Sequence, residues 1–177
     1  IPTSKNLEAR TYDMAIYDRV EIIRGATGLI SGTGSPSAAV NLVRKRPGRA
    51  FAATAGAQLG SWDRYRIEGD VSTPLTADGN VRARIVAAHE DQRSFIDRYQ
   101  QKKDVLYAIV EADLTPSTVL SAGINYQQEK LKGAGRDFPM FYADGSQTRF
   151  PRSMNGTAAW STYDREQNML FATLDHY

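Results

Sequence analysis

Three groups of residues in this chain have the type and spacing to do chemistry. The first is RGATGLISGTGSPSAAVNLVRKRP, residues 24–47, where Gly25, Gly28, Gly32 and Gly34 precede an apolar run and a burst of positive charge. A phosphate cradle needs backbone N–H groups converging at a helix N-terminus, usually finished by Gly-Lys-Ser/Thr. Here Gly34 is followed by Ser35 and Pro36, and Val40 to Val43 has the character of a strand, so the glycines serve as tight turns between short strands. The second group is the carboxylate pairs Glu68 with Asp70 and Glu111 with Asp113. Such pairs could imitate paired catalytic carboxylates, but i, i+2 spacing on a strand is the ordinary pattern of a hydrated lumen face. The third is His89 and His176, the two imidazoles of a chain with no cysteine. Neither has a second imidazole at metal-ligand spacing. We expect no enzyme, no resident cofactor and no metal held by protein side chains.

The elements that must carry these residues are bounded by composition. The 22 basic and 20 acidic residues of the 177-residue chain are interspersed and leave a net charge of +2, so no nucleic-acid footprint is expected. No stretch approaches the roughly 18 consecutive apolar residues of a membrane-spanning helix. That excludes a helical span and leaves a barrel open, because a transmembrane strand needs only about 9 to 11 residues with every second one apolar.

From Ala50 onward the hydrophobic period is two. Phe51, Ala53, Ala55, Ala57 and Leu59 share one face. Tyr65, Ile67, Gly69 and Val71 oppose Arg66, Glu68, Asp70 and Ser72. Val81, Ala83, Ile85 and Ala87 oppose Arg82, Arg84 and Glu90, and Leu106 to Leu114 oppose Tyr107, Glu111 and Asp113. Leu120, Ala122, Ile124 and Tyr126 oppose Ser121, Asn125, Gln127 and Glu129, while Leu170, Ala172 and Leu174 oppose Phe171, Thr173 and Asp175. The pattern predicts six strands: 51–59, 65–73, 81–92, 105–114, 119–129 and 167–176. Residues 75–80 and 115–118 form short turns at one end; 94–104 and the aromatic, Arg- and Gly-rich stretch 132–166 are longer connections at the other. Short turns at one rim and long loops at the other suit an outer-membrane barrel; a soluble antiparallel sandwich or lipocalin-like barrel also alternates. Residues 1–47 lie outside that rhythm, with a helical turn at 15–18 and strands at 19–24 and 39–44, and form a small mixed unit.

YDRVEIIRGATGLISGTGSPSAAVNLVRKRP, Tyr17 to Pro47, resembles the C-terminal end of the plug domain of TonB-dependent outer-membrane receptors. The resemblance continues through GSWDRYRIEGDVSTPL, RIVAAHEDQRSFID, EADLTPST, FYADGSQTRFPRS and WSTYDREQNMLFATLDHY, which are similar to the first barrel strands of ferric-siderophore receptors of the pyoverdine and hydroxamate types. Ala26, Ile30, Ser31, Ser37 and Ala38 depart from that family's plug pattern. The resemblance implies a mainly β chain: the C-terminal part of a mixed α/β plug, residues 1–47, then six of about 22 antiparallel barrel strands, residues 48–177. It implies energy-coupled import of a ferric siderophore across the bacterial outer membrane, and as partners outer-membrane lipid and the TonB complex, engaged through a Ton box upstream of Ile1. It places substrate-binding candidates at Asn6, Arg136, Phe138, Phe141 and Tyr142, and a plug–barrel lock at Arg24. The alternatives within this reading are another cargo, cobalamin or haem, or a passive porin-like or structural barrel.

Overall fold

The computed structural model describes residues 12–24, 38–134 and 139–177. The chain divides into two compact units, Ile1–Arg46 and Pro47–Tyr177.

In the first unit a 3₁₀ turn, Met14–Ile16, is capped by Asp13, whose Oδ1 accepts the Ala15 amide at 2.9 Å. Tyr17 is already extended, so the turn is shorter than the sequence pattern suggests and ends before Asp18. β1 (Tyr17–Arg24) and β2 (Ala38–Arg44) then pair antiparallel, with Val20 opposite Leu42 and Ile22 opposite Val40. These β-branched runs are the residues that favour a pleated surface. Ile16 and Tyr17 are buried, and Tyr12 packs edge-on against Tyr17 at 6.3 Å.

The second unit is one antiparallel sheet of six strands in chain order: β3 (Ala52–Gly60), β4 (Arg64–Pro74), β5 (Val81–Arg93), β6 (Gln100–Thr115), β7 (Thr118–Lys132) and β8 (Thr162–His176). Each strand pairs with the next in sequence. All six expected strands are present. β6 and β8 each begin five residues earlier than the periodicity indicates, because Gln100–Asp104 and Thr162–Glu166 are polar on both faces and carry no alternation to read. The β4–β5 turn is closed by Leu75 N–H donating to the Val81 carbonyl at 2.7 Å, with Gly79 at φ +70°. Asp78 holds this turn by accepting from Thr76 Oγ1 at 2.6 Å and the Asn80 amide at 3.1 Å. Its carboxyl is held below the usual range, chiefly by the Thr76 hydroxyl.

The two faces are inverted relative to a water-soluble sheet. Arg66, Arg82, Glu90, Glu111, Ser121, Asn125 and Glu129 are buried, whereas Leu59, Ile67, Ile85, Val110, Leu170 and Leu174 are exposed. Buried polar residues together with an exposed apolar face are the informative departure from the usual interior. The covered face satisfies its charges by pairing them across strands. Arg84 clasps Asp70 through two bonds of 2.8 Å, Arg64 reaches Glu90 at 2.8 Å, and Arg82 reaches Glu111 at 3.0 Å and Asp113 at 2.9 Å. On the same face Gly123 has no room for a side chain. An added Cβ would lie 2.5 Å from the Ala108 carbonyl oxygen and 2.6 Å from the Phe171 ring, which stacks on Tyr107.

Candidate functional site

The connections 61–63, 94–99 and 133–161 all leave the same end of the sheet, opposite the turns 75–80 and 116–117. They are knit together by side chains far apart in sequence. Trp62, held at φ +58° in the β3–β4 corner, packs its ring 6.0 Å from Phe95, and the Arg152 guanidinium lies 5.0 Å from the centre of that same Phe95 ring. Such an Arg–aromatic stack adds attraction beyond area burial. Asn155 is the polar centre: its Nδ2 donates to the carbonyls of Asp97 at 2.6 Å and Gly133 at 2.8 Å, and its Oδ1 accepts from the Thr157 amide at 2.9 Å and from the Thr157 hydroxyl. The Arg98 guanidinium in turn donates to the Asn155 carbonyl at 2.6 Å, and Asp97 N–H donates to the Ser153 carbonyl at 2.8 Å. Gly133 is required here: its φ is +60° and an added Cβ would sit 2.6 Å from the Arg98 carbonyl oxygen. At the sheet end Tyr99 donates to Gln101 at 3.3 Å, and burial, with Glu129 nearby, pushes its phenol up.

The tip of the long connection is a small hairpin. Thr148 N–H donates to the Met140 carbonyl at 3.0 Å, Tyr142 N–H to the Ser146 carbonyl at 2.8 Å, and Phe141 pairs with Gln147. The turn is Asp144-Gly145, with Gly145 at φ +82°. Asp144 Oδ1 accepts from the Ser146 hydroxyl at 2.6 Å and its amide at 2.9 Å, bonds that hold the Asp144 carboxyl below its usual range. Phe141 and Tyr142 therefore ride on an ordered scaffold, the two residues 58% and 54% exposed. A rigid amphipathic ring held out into solvent is contact area offered to a ligand at low entropic cost.

Of the other sequence candidates, Arg24 is the last residue of β1, opposite Ala38, with its side chain exposed. Asn6, Arg136 and Phe138 lie outside the described residues. The carboxylate pairs are held in cross-strand and same-strand ion pairs, Glu68 with Arg66 at 3.0 Å, Asp70 with Arg84, and Glu111 and Asp113 with Arg82. His89 Nδ1 lies 2.6 Å from Asp104 and His176 Nδ1 lies 2.9 Å from the Thr118 hydroxyl. Among the described residues no group of three or more potential ligands is arranged to hold a metal ion. Sequence reasoning missed the Trp62–Phe95–Arg152 stack and the Asn155 centre. The available signal was a tryptophan in a three-residue corner, too short a segment to bury it locally.

Comparison with known proteins follows the same line. The chain is 48% identical over 166 residues to the ferripyoverdine receptor of Pseudomonas aeruginosa, covering 93% of the chain and 20% of that receptor. It is 50% identical over 161 residues to the ferric-pyoverdine 358 receptor of Pseudomonas putida, covering 91% of the chain and 19% of the relative. The crystal structure of the ferripyoverdine receptor of the P. aeruginosa outer membrane bound to ferripyoverdine superposes with a TM-score of 0.88, over 93% of this chain and 22% of that one. No protein-family profile matches. The chain thus spans about one-fifth of the length of these relatives. In sequence and in backbone alike, it belongs to the TonB-dependent outer-membrane siderophore receptors, as a segment of one.

Proposed function

We propose that the whole receptor imports a ferric siderophore of the pyoverdine class across the bacterial outer membrane, and that this segment is the end of its plug, residues 1–47, and its first six barrel strands. The observation that carries the reading is the inverted sheet. A face of Leu, Ile, Val and Ala turned outward is stable only against hydrocarbon, and a face of paired Arg, Glu and Asp is at home toward a hydrated lumen. The outward apolar rows run from Val81 to Ala87 on β5 and from Leu106 to Leu114 on β6. At about 3.3 Å per residue and a tilt near 40°, the six steps of the β5 row rise about 15 Å and the eight steps of the β6 row about 20 Å, approaching the band of about 25 Å expected of such barrels.

The loop end then faces outward from the cell and receives the chelate. The iron arrives already wrapped in chelator oxygens, so the protein supplies aromatic contact area and complementary charge, not metal ligands. Phe138, Phe141 and Tyr142 offer the rings, Arg136 complements anionic oxygens, and Asn6 contributes from the plug side. The Trp62–Phe95–Arg152 stack and Asn155 hold the base of the loop so that the tip presents a formed surface. Energy enters through the TonB complex, acting on a Ton box upstream, and Arg24 locks plug to barrel until that force arrives.

The test is ferric-siderophore binding by the full-length receptor. Replacing Arg136, Phe141 and Tyr142 together with alanine is expected to weaken binding at least tenfold, about 1.4 kcal/mol, with normal surface expression. Replacing the outward-facing Leu106 and Val110 with alanine leaves affinity unchanged. A triple variant that binds like the parent removes this loop from the site.

A further inference from the structure

The chain passes from its first compact unit to its second at Arg46–Pro47, and β3 begins at Ala52. Between these points the backbone does not run straight into the sheet. Gly48 N–H donates to Ser72 Oγ at 2.8 Å, and Ser72 is also the register partner of Ala52, so residues 48–52 close a small loop over one buried residue of β4. Arg49 then reaches away from β3. A Cβ added at Gly79 would meet the Arg49 stem at 3.6 Å, which lays that stem along the β4–β5 turn, and Arg49 Nη2 donates to Asp113 Oδ2 at 2.6 Å near the end of β6. Asp113 is itself fixed. Its carboxylate accepts from Arg82 at 2.9 and 3.0 Å, and its N–H donates to the Asn80 carbonyl at 2.9 Å. Two consecutive residues of the link are thus bonded to β4 and β6 before the chain contributes to β3 at all. Just upstream, Pro47 is buried and its ring fixes φ, which limits slack.

The strand that follows is the least able of the six to resist a pull. β3 is AATAGAQLG, four alanines and two glycines in nine residues, every one of them exposed. Alanine and glycine are depleted in strands because they bring little side-chain packing to the pleated surface, and glycine weakens a strand interior. Gln58 meets Arg64 only at 3.5 Å, whereas β4, β5 and β6 are braced across their faces by Arg84 with Asp70 and Arg82 with Glu111. A structure opens first at its least stable unit. A force travelling down the chain from residues 1–46 meets Gly48 and Arg49 first, and β3 only when they give way.

We infer that Gly48 and Arg49 form an anchor that takes up the pull applied to the plug and keeps it off β3, so that the plug can be rearranged without opening the barrel at its first strand. The inference rests on the reading of residues 1–47 as a plug that is pulled from the periplasm. Through Asp113 the strain passes to Arg82 and Asn80, that is, to β5 and β6 together. The contacts are an ion pair and a hydrogen bond, which form again once the pull ends, so the anchor resets with each cycle of transport. Arg49 makes a single bond with Asp113, and an ammonium in its place can make the same one.

The test holds the full-length receptor in a surface-tethered nanodisc and draws its N-terminus at constant force with magnetic tweezers. The parent is expected to lengthen in two stages, plug first and barrel later, and the readout is the waiting time between them. Arg49→Gln is expected to shorten that wait roughly tenfold, and Ser72→Ala, which removes the Gly48 bond and no charge, roughly threefold. Arg49→Lys keeps most of the wait. Lys102→Gln, which breaks the ion pair with Asp91 at the opposite end of the sheet, leaves it unchanged. An unchanged wait in both Arg49→Gln and Ser72→Ala overturns the anchor. A wait shortened as much by Lys102→Gln as by Arg49→Gln also overturns it, since the loss is then one of general sheet stability. A parent that lengthens in a single stage refutes the reading of residues 1–47 as a separable plug, and a shorter wait before that stage in Arg49→Gln then leaves the anchor standing.

Discussion

Replacing Arg82 with methionine isolates what the covered charges contribute. The guanidinium reaches Glu111 at 3.0 Å and Asp113 at 2.9 Å, and Glu111 is only 2% exposed. Asp113 keeps a second cation, Arg49 at 2.6 Å, so the loss falls on Glu111. Removing one partner of a buried pair costs about 3 to 5 kcal/mol, against about 0 to 1 kcal/mol where water reaches the charge. If the pair is lost on the way to the unfolding transition state, the lower buried figure accelerates unfolding about a hundredfold. The assay is the decay of the fast-migrating folded band of the full-length receptor on unheated gels after dilution into guanidinium. Arg82→Met is expected to unfold about a hundredfold faster, and Arg82→Met with Glu111→Gln to recover most of that, because the buried group, now an amide, no longer needs the guanidinium while the Ser121 hydroxyl keeps its acceptor at 3.3 Å. A single variant within threefold of the parent shows that water solvates Glu111. A double variant as fast as the single assigns the loss to the packing of the Arg82 stem.

Two further outcomes follow from the topology and the plug. Cysteines placed at Asp78, Ser117 and Ser146 in intact cells, treated with a membrane-impermeant maleimide, are expected to label only at 146 on the proposed orientation, in which 75–80 and 115–118 face the periplasm; labelling at 78 or 117 reverses the orientation. Arg24→Ala in the full-length receptor is expected to raise single-channel conductance and sensitivity to large antibiotics by loosening the plug, and unchanged values take Arg24 out of the lock.

The faces of the sheet were legible because they rest on a period of two, which needs only the order of residues along one strand. Tyr65, Ile67 and Val71 against Arg66, Glu68 and Ser72 declares both faces of β4 without knowing its neighbours. What pairs with what was not legible. Arg82 meets Glu111 only through the β5–β6 register, and register is set by turn length and bulges such as the irregularity between Asp113 and Thr115. The upper ends of β6 and β8 were missed because Gln100–Asp104 and Thr162–Glu166 carry polar residues at successive positions, so no alternation of apolar with polar side chains marks them as strand. The loop centre was the least legible. Asn155 joins Asp97 and Gly133 across 58 and 22 residues of chain, contacts of a kind that leave no local pattern. Phe141 and Tyr142 were visible as aromatics in a long connection, but the hairpin that carries them is signalled only by Asp144-Gly145.

β6 has 16 residues and β7 has 15, half as many again as a bilayer requires. The surplus is all at the loop end, from Gln100 to Asp104 on β6 and from Gln128 to Lys132 on β7. It lifts the root of the 133–161 loop roughly 15 Å above the Leu106–Tyr126 row once tilt is allowed for. The same strand thus answers to two solvents in succession, and on the proposed function the stretch that must match hydrocarbon thickness is not the stretch that shapes the recognition surface. On that proposal, substitutions and insertions above Asp104 leave the requirements of membrane insertion untouched, so the loop surface can change on an unchanged span.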